Sequence, residues 1–160
     1  MVHSPPKVRT TRRVDEKRKG NHNVSDSLPK LLKPRQARQV AIGLAATRIA
    51  IGVAAWVTPK LVVRPWVGDV VAEDAGGHVL SRALGGRDVA LGAGSLIALR
   101  HGGPTRGWIE ASALADAGDL LATVAAFKSL PRLTRWGIFG LTLGAVAAGA
   151  LVSPVIDQTD

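Results

Sequence analysis

Six ionisable residues stand inside otherwise apolar stretches of this chain: Arg48, Arg82, Arg87, Asp88, Asp116 and Asp119. Guanidiniums and carboxylates in such surroundings have two chemical uses. They pair and hold helices together, or they line a polar cavity that takes a proton, an ion or a small ligand. Covalent chemistry has nothing to stand on. Ser81, Ser95 and Ser112 lack a histidine at comparable depth to serve as base. His3, His22, His78 and His101 are scattered without an i,i+4 pair, and there is no cysteine, so no metal centre is expected. The run GGRDVALGAG, from Gly85 to Gly94, lacks a preceding strand and the GxxxxGK[ST] spacing of a phosphate loop. The chain is therefore read as non-enzymatic, with no catalytic residue and no cofactor.

The elements that position these charges are four apolar segments near 39–58, 80–99, 107–127 and 134–153. Each has the roughly twenty residues that cross about 30 Å of hydrocarbon at about 1.5 Å per residue. From Trp136 onward the fourth, WGIFGLTLGAVAAGALVSPV, carries no charge, and from Val40 to Val57 the first carries only Arg48. A soluble four-helix protein would need a charged outer face at helical spacing. These segments offer none, so the expected fold is all-α: a four-transmembrane-helix bundle over 39–153.

Antiparallel threading brings the charges to similar depth. Arg48 lies near the middle of the first span, Arg87 and Asp88 seven or eight residues into the second, and Asp116 nine residues into the third. Helix faces agree with depth. Ala41, Ala45, Arg48, Gly52 and Ala55 share a face; so do Ser81, Gly85, Asp88, Gly92 and Ser95; and Ser112, Asp116, Asp119 and Thr123 form a polar stripe. Asp88 has no basic residue at i±3 or i±4, so its partner must come from another helix. The expectation is that Arg48 and Arg87 bridge to Asp88, Asp116 and Asp119, with Arg82 completing a network of zero net charge. Glu110 reads as a solvated interfacial acid. Gly52, Gly85 and Gly92 are read as close-packing positions, and Gly140, Gly144 and Ala148 as a small-residue ridge for packing within the bundle or against a second copy.

Residues 1 to 38 hold eleven Lys and Arg against three acids, whereas the remainder is nearly balanced. That tail buries too little apolar area to offset ordering entropy and is expected to be disordered, apart from one amphipathic turn at 28–32. Arg12-Arg13 lies too far from an apolar run for a twin-arginine signal, and no cleavable signal peptide is visible. The basic excess of the tail with Arg100 and Arg106 outweighs that of Lys60, Arg64, Lys128, Arg132 and Arg135, which puts both termini in the cytoplasm. The link 59–79 then becomes an external loop, with turns at Pro59, Pro65 and Gly76-Gly77 around a short interfacial helix. Residues 154–160 form a short C-terminal tail. The expected partners are the bilayer, anionic headgroups at the basic tail, and a second copy or a larger membrane complex; nucleic acid is not expected.

Arg48, Gly52 and Pro59 in and after the first span, then LSRALGGRDVALG, then a Trp-led third span ending in DAGDLLATV, resemble small four-span bacterial membrane proteins grouped as domains of unknown function. The likeness covers about residues 40 to 150 and implies no activity. Three functions remain in view: a non-enzymatic membrane subunit or scaffold, a small proton-coupled carrier or channel using Asp116 and Asp119, and a soluble basic helical protein that binds nucleic acid.

Overall fold

The computed structural model describes residues 32–158 and is all-helical. Its elements are α1 (Pro34–Val57), α2 (Pro59–Val67), α3 (Asp69–Glu73), α4 (Ala75–His101), α5 (Arg106–Ala125) and α6 (Arg135–Val152). Two of them, α1 and α6, are long and apolar enough to cross a membrane. The expected disorder of the tail concerns residues 1–31, outside the described residues.

Helix α1 begins five residues before the expected boundary. Pro34 at the first helical position has its φ preset and no N–H to leave unpaired, and the Lys33 N–H donates to Gln36 Oε1 at 3.1 Å. Arg35 and Arg38 therefore belong to the helix and not to the tail. Helix α4 is also longer than expected. Asp74 caps it by accepting from the Gly76 N–H at 2.8 Å, which makes Gly76-Gly77 its first turn instead of a loop. Nor is Pro65 a turn, because it lies within α2. The break after α2 falls at Gly68, whose φ of 85° suits glycine alone. Exposed pairs Lys60–Glu73 and Arg64–Asp69 strap α2 to α3, and the Lys60 hydrogen bond holds the Glu73 carboxyl below the usual carboxylate range.

Four long helices pack as two tight pairs, α1 with α4 and α5 with α6. At the end carrying the start of α1, Ala37, Ala41, Leu99, Ile109, Val152 and Val155 form a closed apolar cluster. Those residues come from the start of α1, the end of α4, the start of α5 and the end of α6, so successive long helices run antiparallel. The segment that follows α6 is tied down there. Asp157 accepts from the Thr105 and Arg106 N–H groups at 2.9 and 3.0 Å, satisfying orphan donors at the start of α5. At the opposite end α2 lies across the bundle, and the Trp66 indole N–H donates to Thr123 Oγ1 at 3.1 Å.

Candidate functional site

The α1–α4 seam positions the site. A Cβ built on Gly85 would lie 2.6 Å from the Gly52 carbonyl oxygen, and one on Gly92 2.7 Å from that of Ala45. Only glycine permits this approach, in which one backbone rests on the other. Ser81, buried in the same seam, donates toward the carbonyls of Ala55 and Pro59 at 3.3 Å. Between α4 and α5 the spacer is Gly94, where a side chain would collide with the Trp108 ring.

This close seam puts Arg48 within reach of two other helices. Its Nη1 donates to Asp88 Oδ1 on α4 at 2.8 Å, and its Nη2 to Asp116 Oδ2 on α5 at 2.5 Å. Arg87 on α4 forks onto Asp119 of α5, Nη1 to Oδ1 at 3.0 Å and Nη2 to Oδ2 at 2.8 Å. The same Nη2 reaches Asp88 Oδ1 at 3.2 Å. Asp88 Oδ1 thus accepts from both guanidiniums and joins the two bridges into one network. Its members are mostly enclosed, with side-chain exposures of 13–17% except for Arg87 at 31%. Fork-shaped donors on carboxylates are the strongest ion-pair geometry available to side chains.

Two expectations need correction. Arg82 is exposed and makes no ion pair among the described residues, so it is outside the network. On α4 it stands at the flank of the seam that buries Ser81 and Gly85, with its side chain exposed. The network therefore consists of two arginines and three aspartates, one positive charge short of neutrality. The second correction concerns α6. Gly140 and Gly144 are exposed, and a Cβ on either meets nothing within 4 Å, so neither packs against another helix of the same bundle. Helix α6 instead meets α5 through Gly149, where a Cβ would come 2.7 Å from that of Ala113. Gly144→Ala is accordingly expected to leave stability unchanged or raise it by at most about 1 kcal/mol, since Ala is the better helix former; thermal unfolding of the purified variant checks this.

Between the two helix pairs lies a cavity of about 560 Å³. The ion network forms part of its floor; Leu44, Ile51, Ile138 and Leu141 contribute to predominantly apolar walls. The apolar cluster closes it at one end, and Val62, Val63 and Trp66 of α2 cover the other. Helices α1 and α6 touch little, and Gly43, Thr47 and Ile51 face Gly140, Leu141 and Gly144 as exposed residues across the gap between them. Trp66 and the α2 cover were not readable as site components, because a nine-residue helix in a linker carries no pattern that says where it docks. No known protein family, curated protein or solved structure matches this chain.

Proposed function

We propose that the chain is a four-span integral membrane protein, with both termini cytoplasmic, that acts as a non-enzymatic membrane subunit or scaffold. One observation carries this reading: Arg48 joins carboxylates on two other helices at mid-length of the bundle. In hydrocarbon such charges are tolerated when they face inward and pair, and the pairing fixes register between helices that lipid alone would not sort. The outer surface supports it. Only 22% and 11% of the most apolar stretches of α1 and α6 are buried, whereas the core helix of a soluble protein is mostly buried. Val53, Trp56, Leu61, Val79, Leu114 and Leu121 are exposed as well, spread over α1, α2, α4 and α5. Such a surface suits acyl chains and ill suits water, which also counts against the soluble nucleic-acid-binding alternative. The spans assigned to α4 and α5 rest on their length and inward-facing charges, in keeping with the four-span proteins that the GGRDxxLG and GD elements resemble.

Carbonate washing of membranes is expected to leave the protein in the pellet. The chain has no cysteine, so single labels are clean: Ser129→Cys, in the α5–α6 turn, should react with an impermeant maleimide from outside intact cells, and Ser27→Cys only after lysis. Release by carbonate would sink the membrane reading, and labelling of both sites on one side would sink the topology. The cavity favours a second reading, a small proton-coupled carrier in which Asp116 and Asp119 change protonation with Arg48 as counter-ion. A folded Asp116→Asn protein that has lost transport would support it; failure to accumulate would support the scaffold.

A further inference from the structure

We infer that the cavity between α1 and α6 is a binding site for a lipophilic monocation, an organic ammonium or phosphonium with an apolar body and one positive charge. Size is the first argument. About 560 Å³ falls within the roughly 300–1,000 Å³ of small-molecule sites, which are likewise mostly apolar with a few converging polar groups.

Charge is the second. The charged residues lining the cavity are Arg48 and Arg87 against Asp88, Asp116 and Asp119, and with Arg82 turned outward nothing in the lining cancels the third carboxylate. An uncompensated charge in apolar surroundings is unfavourable, so a cation that enters neutralises the floor while its body covers the walls. Free acceptors are the third. Asp88 receives its hydrogen bonds on Oδ1 and Asp116 on Oδ2. Their other oxygens take none among the described residues and are not fully buried, and both residues line the cavity. They provide two acceptors on neighbouring helices for one positive centre.

Among the described residues no three histidines or carboxylates gather to hold a metal ion, and the apolar walls would leave a bare ion poorly solvated. An organic cation matches both parts of the lining. Its route is lateral, through the gap where Thr47 and Ile51 face Gly140 and Gly144, from the hydrocarbon in which lipophilic cations dissolve. Only this route rests on the membrane reading.

The test uses the purified full chain in detergent and two labelled probes of one shape and opposite sign, tetraphenylphosphonium and tetraphenylborate. Wild type is expected to bind one phosphonium saturably, at least tenfold more tightly than the borate. Gly144→Leu places a side chain in the cavity with no backbone to strike, so it should elute as wild type and lose at least tenfold in phosphonium affinity. Asp116→Asn should lose as much; if it does not fold, Gly144→Leu decides. Absence of saturable binding to folded wild type, equal affinity for both probes, or unchanged binding in folded Gly144→Leu overturns the proposal. So does quantitative cross-linking of Leu141→Cys between two copies, which would give the gap to a second chain. Phosphonium binding by a protein that carbonate releases would sink the membrane reading and leave the site standing.

Discussion

Gly85→Leu is expected to destroy the α1–α4 seam, at a cost of about 3 kcal/mol or more, while Gly86→Leu, one residue along, costs less than about 1 kcal/mol. The difference comes from what each new Cβ meets. At Gly85 it would lie 2.6 Å from the Gly52 carbonyl oxygen and 2.8 Å from the Ala55 Cβ. Neither can rotate away, so relief requires the helices to part. Parting breaks more than packing, because the 2.8 Å reach from Arg48 to Asp88 crosses the same seam. At Gly86 the nearest neighbour is the Trp56 indole at 3.5 Å, an ordinary contact with a side chain that can move. Thermal unfolding of both variants in one detergent, read by recovery of the monodisperse peak, makes the comparison. Equal midpoints would mean that the backbones do not touch where Gly52 and Gly85 meet.

The seam and the network differ in how far they could be read from sequence. Depth counting put Arg48, Arg87, Asp88 and Asp116 at one level with Asp119 a turn away, and the structure holds these five within ion-pairing distance. The inference was accessible because burying a charge is so unfavourable that few arrangements remain. Arg82 escapes the same logic: charge balance suggests a sixth member, but a long side chain at the exposed flank of α4 keeps its charge outside at little cost, so balance does not constrain it. The glycines divide similarly. Gly52, Gly85 and Gly92 share faces with the charges, and their close approach follows from the pairing. Gly140 and Gly144 had only their spacing to recommend them. Spacing does not say which face of α6 meets α5, and the contact falls at Gly149 instead. Boundaries were lost where hydropathy ends before the helix does, at Arg35–Arg38 and at Gly76-Gly77, because caps rather than apolar residues set those ends.

Arg48→Leu is expected to be the most damaging single change in the network, costing about 3–5 kcal/mol, the range for removing one partner of a buried ion pair. Asp88 would keep Arg87, but Asp116 would lose the one guanidinium bonded to it among the described residues and be left without a counter-charge in apolar surroundings. Arg48→Lys should be milder and still costly. One ammonium keeps the charge, but it lacks the fork whose two arms reach carboxylates on two different helices. The decisive comparison is the double change. Arg48→Leu with Asp116→Leu removes both unlike charges and fills their space with apolar atoms, so it should recover more than about 1 kcal/mol relative to the sum of the two single changes. Arg82→Leu is the control, exposed and outside the network, and should stay within about 0.5 kcal/mol of wild type. Unfolding free energies of the four variants and Asp116→Leu, measured in one detergent, decide the matter. If Arg48→Leu proves no worse than Arg82→Leu, the bundle is held by its glycine seam alone. The cluster would then stand in a cavity that the fold tolerates without needing, which is the arrangement expected of a site kept for what it binds.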